Sequence, residues 1–150
     1  MRSLLKTQDD VVPLILRVFL AIVMFPHGAQ KVLGWFGGNG LAGTMHFMTG
    51  MGIPAVFAAL AIAAEFLGPI GLFIGLLTRV AALAIGVEMV VAVMLVHAGN
   101  GFFMNWSGKQ KGEGFEYHLL VIGISVALMI AGGGKLSLDL ALSSRAPQTK

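Results

Sequence analysis

The stretch IPAVFAALAIAAEFLGPIGLFIGLLTRVAALAIGVEMVVAVMLV, residues 53–96, decides the fold. Its only charged residues are Glu65, Arg79 and Glu88. A helix crosses the hydrocarbon core of a bilayer in about 20 residues, so this run is too long for one crossing. Its sole basic residue, Arg79, falls midway. The simplest reading is two spanning helices, Ile53–Leu77 and Val80–Ala98, joined by a tight turn at Thr78-Arg79. Ala64, Gly68, Gly71 and Gly75 lie along one face of the first of them, and Gly71 and Gly75 form a GxxxG pair. Small residues let helix backbones approach in lipid, where hydrophobicity alone does not drive helices together. Ala81, Ala84 and Gly86 do the same for the next helix, which predicts a tightly packed bundle without a wide aqueous pore.

Two further spans flank this hairpin. Upstream, Val11–Leu33 is apolar from Leu14 to Phe25 apart from Arg17. Pro13 suits a first turn, whereas Pro26 is expected to kink or end the helix. Basic residues followed by an apolar run resemble a signal peptide, but Asp9 and Asp10 intervene and no A-x-A site follows. The segment therefore reads as a retained helix. Downstream, Phe115–Ala131 is the last apolar run. The fold class expected is an all-α, integral membrane four-helix bundle. It forms one domain over residues 1–142, followed by a polar, disordered tail over 143–150. There is no clear internal repeat.

Composition agrees. The 150 residues are 57% hydrophobic and 11% charged, with a mean hydropathy of +0.87. Soluble domains carry about 25% charged residues, so too little polar surface exists to coat a water-soluble globule. The lipid bilayer is the expected partner. The net charge of +3 is scattered, and a nucleic-acid-binding face needs a basic stripe. The chain has no cysteine, which excludes thiol–disulfide chemistry of its own.

Orientation follows from Lys and Arg near the span ends. Arg2, Lys6, Arg79, Lys135, Arg145 and Lys150 fall on one side. Lys31, Lys109 and Lys111 fall on the other, with Glu113 and Glu116 beside them. Both termini are thus expected in the cytoplasm, in a multi-pass protein of a bacterial inner membrane. The loops Gly34–Gly52 and Gly99–Gly114 then face outward. Trp35, Phe36, Phe102, Phe103, Trp106 and Tyr117 lie near that outer boundary, where aromatic belts form.

Ionisable residues within a membrane are costly and mark function. At about 1.5 Å rise per residue, Glu65 and Glu88 fall near mid-bilayer and Arg17 in the inner half. Arg17 can pair with only one of the two glutamates. The other must be unpaired, share a proton or meet another cation. Glu65, Glu88 and Arg17 are therefore the candidates for proton transfer; the competing reading is ion pairs that clamp the bundle. A second group gathers at the outer ends: His27 and Lys31 on the first span, His97 on the third, Glu116 and His118 on the fourth. His27 and Lys31 share a helix face. Each residue alone suits capping or snorkelling, but three histidines from three helices suit a polar ligand head.

A quinone fits such a site, with its apolar tail in lipid and its carbonyl oxygens accepting hydrogen bonds. Haem is disfavoured, because nothing fixes two histidines as axial ligands. Met45, His46, Met48 and Met51 lie close together, but methionine at helical spacing is usually packing, so no metal site is expected. Gly38-Asn39-Gly40-Leu41-Ala42-Gly43 matches G-x-G-x-x-G. It follows a membrane helix rather than a strand, so it is no dinucleotide fingerprint; its glycines suit a re-entrant or interfacial loop. Asn105-Trp106-Ser107 is a formal glycosylation sequon, relevant only in a pathway that glycosylates.

A wider pattern runs from about Val11 to Leu140. It comprises Arg17, then His27-Gly28-Ala29-Gln30-Lys31, Gly34-Trp35-Phe36-Gly37-Gly38 and Gly52-Ile53-Pro54. Glu65, Gly68, Gly71 and Gly75-Leu76-Leu77-Thr78-Arg79 follow, then His97, Gly101-Phe102-Phe103, Glu116-Tyr117 and Ser137-Leu138-Asp139. In order and spacing this resembles the DoxX family. The resemblance implies a four-helix bacterial inner-membrane protein of a family often given a provisional oxidoreductase label. The family name derives from a membrane subunit linked to thiosulfate oxidation with quinone as acceptor, and relatives are tied to redox stress and detoxification. The resulting expectation is a membrane redox component binding quinone through His27, Lys31, His97, Glu116 and His118. The alternatives are a non-catalytic subunit that assembles other redox-complex subunits, or a small proton-coupled transporter. The sequence leaves the oligomeric state open, self-association included.

Overall fold

The computed structural model describes residues 2–144. A short helix α1 (Arg2–Leu5) precedes α2 (Val11–Leu33). A 3-10 turn (Trp35–Gly37) leads into α3 (Gly40–Gly50), then come α4 (Ala55–Ile74) and α5 (Thr78–Ala92). A π turn (Val93–His97) and a 3-10 turn (Ala98–Asn100) continue α5. After a loop, α6 (Glu116–Ala131) and the short α7 (Leu138–Ser144) complete the chain.

Among the described residues, three helical runs are long and apolar enough to span a membrane: Val11–Leu33, Ala55–Ile74 and Thr78–Asn100. The fourth, α6, has 16 residues, or about 24 Å of helix. Helix α2 packs on α4, α4 on α5, α5 on α6, and α6 back on α2, closing a bundle. Leu20, Met24, Leu72, Ala82, Ile85 and Leu128 fill its centre. Phe19, Leu60, Leu67, Met94 and Ile130 are among many large apolar side chains that point outward. In water so broad an apolar coat would drive association; in lipid it is the proper surface.

Local chemistry sets the helix ends. The Asp10 side chain accepts from Val12 N–H (2.9 Å) at the start of α2, satisfying an otherwise orphaned donor. Pro26 does not end α2, which runs on to Gly34 in the left-handed region (φ 72°). The hairpin turn falls at Gly75–Leu77 rather than Thr78-Arg79, because Gly75 adopts φ 69° at the end of α4 while Thr78 already begins α5. The expected re-entrant or interfacial loop is a helix, α3, packed on α2 and α4; Thr44 Oγ1 donates to the Lys31 carbonyl (3.2 Å). Of the expected polar tail, Ser143 and Ser144 belong to α7, and residues 145–150 lie outside the described residues.

The N-terminal segment and α7 meet at one end of the bundle, here the terminal end. Thr7 Oγ1 donates to Ala131 O (3.2 Å), and Lys135 N–H donates to Asp10 O (2.8 Å). Arg17 ties this end together and is 1% exposed. Its Nε donates to Gly133 O (2.9 Å), Nη1 to Leu72 O (2.9 Å) and Phe73 O, and Nη2 to Lys135 O (3.1 Å) and Leu136 O (2.7 Å). Leu72 and Phe73 lie in the last turn of α4, where carbonyls are short of helical donors and carry partial negative charge; Leu72 O takes only the capping Gly75 N–H (3.2 Å). Asp139, also 1% exposed, accepts from Leu77 N–H (2.8 Å) and Thr78 N–H (2.9 Å). That grip holds Leu77 at φ 50°, a conformation most side chains avoid.

Candidate functional site

The second polar assembly lies toward the opposite end, where the loops around α3 and Gly101–Phe115 sit. It forms because α2 and α4 touch backbone to backbone. A Cβ on Gly28 would collide with the Glu65 carbonyl and Phe66 Cα. Pro69, lacking an N–H, leaves that same Glu65 carbonyl without its helical donor. The close crossing brings Lys31, one turn beyond Gly28, onto Glu65. Their side chains form an ion pair, the only one among the described residues. Glu65 is 3% exposed, so the pair is shielded from water on its acidic side.

Glu88 comes from α5 to the same place. Its carboxyl lies close enough to that of Glu65 for the two to act on each other. One proton on the two carboxyl groups would make a neutral trio with Lys31, the arrangement a low-dielectric interior tolerates. Glu88 Oε2 has no hydrogen-bond partner among the described residues.

A row of rings continues from the trio. His27, one turn before Lys31 on α2 and exposed on one side, lies 6.2 Å, centroid to centroid, from Tyr117. Tyr117 meets His118 edge-on at 5.7 Å, and His118 lies 4.1 Å from His97. Tyr117 OH donates to Met24 Sδ (3.3 Å). His97 Nδ1 is bonded to Glu113 O (2.8 Å) in the loop, leaving Nε2 toward its surroundings. His118 is 6% exposed and its Nδ1 has no partner among the described residues. Unpartnered buried polar atoms cost stability and are characteristic of sites built for something else to complete. His97 closes the π turn of α5; such turns recur at functional sites because they redirect a side chain without ending the helix.

The structure therefore regroups the residues singled out in the sequence. Glu65 and Glu88 join Lys31, His27, His118 and His97 in one assembly. Arg17 does not pair with either glutamate; its donors are occupied by carbonyls at the terminal end. Lys31 takes the place expected of Arg17, since α2 is long enough to bring its last-turn cation beside Glu65. Glu116 is not turned into the cluster: its Oε1 accepts from Met104 N–H (2.8 Å) and helps fold the loop over α6. Tyr117 and Ser125 had not been singled out as site residues. Ser125 is fully buried with an unpartnered Oγ where α6 meets α5 at Gly86. A hydroxyl-bearing residue inside an apolar helical run was the available signal for both. Among the described residues, no three His, Asp or Glu side chains gather as a metal-binding group.

Apolar spanning helices around a buried acid–base cluster define a multi-pass helical membrane protein. Comparison with known proteins places it more narrowly. The DoxX family model matches residues 12–98, and the chain belongs to the DoxX family. It is 30% identical over 130 residues to the protein named "Putative oxidoreductase CatD" of Bacillus subtilis (strain 168), covering 87% of this chain and 86% of that one. It is 28% identical over 141 residues to "Inner membrane protein YqjF" of Escherichia coli (strain K12), covering 94% of this chain and 99% of that one. An uncharacterized protein of Haemophilus influenzae is 33% identical over 130 residues, covering 84% and 80%. No solved structure matches. The protein is thus a multi-pass protein of the bacterial inner membrane.

Proposed function

We propose that this protein is a membrane redox component that binds a quinone head group at the Lys31–Glu65–Glu88 cluster, with the terminal end in the cytoplasm. The observation that carries the reading is a pair of buried polar atoms without partners, Glu88 Oε2 and His118 Nδ1, in one assembly within an otherwise apolar bundle. Quinone carbonyls accept hydrogen bonds, and each of these groups can donate one in a suitable protonation state or tautomer. An apolar groove in the α2–α4 seam, bordered by Phe25, Pro26, Pro69, Ile70 and Phe73, offers room for a hydrocarbon tail on the lipid side. The oxidoreductase wording in the name of CatD points the same way.

A bound quinone would supply reversible uptake of two electrons and two protons. Glu88 would hold the proton at its carboxyl, next to Glu65. Lys31 would balance the charge of the Glu65 carboxylate it pairs with. His118 would orient the head group through Nδ1, and His97 would link it to the loop through its bond to Glu113 O. Arg17 and Asp139 would hold the helices in register and touch no ligand.

The test is purification in mild detergent, an absorption spectrum, and extraction of bound lipids. Quinone that co-purifies with the wild-type protein and is lost from His118→Ala and Glu88→Gln is the expected result. A folded, colourless protein free of quinone would contradict the reading, and a Soret band would replace it with haem.

A further inference from the structure

A separate pocket opens at the terminal end, between the N-terminal segment and the ends of α5 and α6. Lys6, Thr7, Gln8 and Arg79 form its polar part, and Ile130 and Ala131 its apolar floor. Arg79 is fixed there: Nη1 donates to Met129 O and Nη2 to Lys6 O (3.0 Å). Both partners are neutral carbonyls, and no carboxylate among the described residues pairs with Arg79. Its Nε is buried without a partner. Lys6 is exposed, and its ammonium makes no hydrogen bond among the described residues. Asp10 also borders the pocket, but its Oδ1 is occupied at the start of α2 (2.9 Å to Val12 N). Two cations against one acid leave the pocket positive. Its floor continues into the lipid-facing surface, because Ile130 is 74% exposed.

We propose that this pocket binds the phosphate of a membrane phospholipid, with Arg79 and Lys6 contacting the head group while its first methylenes lie on Ile130. Two placed cations beside an apolar floor at a span end match the two parts of such a lipid. A guanidinium held by carbonyls meets a phosphate without losing further side-chain freedom. Residues of this kind near an anionic surface each strengthen attraction several-fold. The pocket shares no residue with the quinone-binding cluster, so the proposal stands apart from that reading.

The full chain in a non-ionic detergent is titrated with dioleoylphosphatidylglycerol, and separately with sodium phosphate at matched ionic strength. The readouts are the unfolding midpoint and lipid adducts in native mass spectrometry. Phosphatidylglycerol should raise the midpoint of the wild-type protein and leave one retained lipid. Lys6→Gln should keep the lipid-free midpoint while binding the lipid about five-fold more weakly. Arg79→Gln should lose the retained lipid; should that variant fail to fold, Lys6→Gln alone decides. Equal lipid binding by the wild-type protein and Lys6→Gln would overturn the proposal. A midpoint shift from phosphate equal to that from the lipid would assign the pocket to free phosphate and overturn the lipid assignment.

Discussion

The two ends of the bundle each bury charge, and they do so in opposite ways. At the terminal end, each nitrogen of Arg17 donates to a carbonyl and both Asp139 oxygens accept from backbone N–H groups. At the other end Lys31 and Glu65 pair, but Glu88 Oε2 and His118 Nδ1 stay open. The Arg17–Asp139 assembly is saturated and the Glu88–His118 assembly is not, although Arg79 Nε and Thr78 Oγ1 also lack partners at the terminal end. A saturated buried ion has no reactive capacity left and serves to fix the helices. An unsaturated one costs stability and retains a site for a ligand or a proton. Hydrogen-bond accounting, more than depth in the bilayer, separates scaffold from site here.

Substitutions can break this contrast or sharpen it. The largest effect is expected from Arg17→Met, which strands several buried carbonyls at roughly 1–3 kcal/mol each. Little folded protein should be recovered on size-exclusion chromatography. Gly28→Val comes next. It forces a side chain into the Glu65 carbonyl and should cost about 3 kcal/mol or more, read as a lowered unfolding midpoint together with lost ligand binding. Asp139→Asn removes one of two charged acceptors at the start of α5 and should cost about 1–2 kcal/mol, with binding at the far end unchanged. Glu88→Gln should have the smallest effect on stability, within about 1 kcal/mol, because an amide replaces a group already lacking one partner. A stability loss from Glu88→Gln as large as that from Arg17→Met would erase the distinction between the ends.

Much of this was legible in the sequence. The apolar run at residues 53–96 located the hairpin, and the small residues on α4 anticipated close packing: Gly68 faces Ile85 and Gly75 faces Arg17 and Ser137. The pairing of charges was not legible. Arg17 and Glu65 looked compatible in depth, but partners depend on which helix faces meet and on backbone carbonyls, which sequence does not display. The Leu72, Phe73 and Gly133 acceptors of Arg17 exist only because α4 and α6 end beside it. Lys31 resembled an ordinary interfacial lysine, since its reach to Glu65 depends on the Gly28 crossing. The helix α3 was hidden by its glycines, which suggested a loop although the segment packs as a helix on α2 and α4.

The most direct test of the account is a titration with decylubiquinone, followed by tryptophan fluorescence, of the wild-type protein and Glu88→Gln in lipid nanodiscs, with the unfolding midpoint recorded for each. Saturable quenching is expected for the wild type and at least about ten-fold weaker binding for the variant, a loss of about 1.4 kcal/mol, at closely similar midpoints. Equal saturable binding by both proteins, or none by the folded wild type, would contradict it.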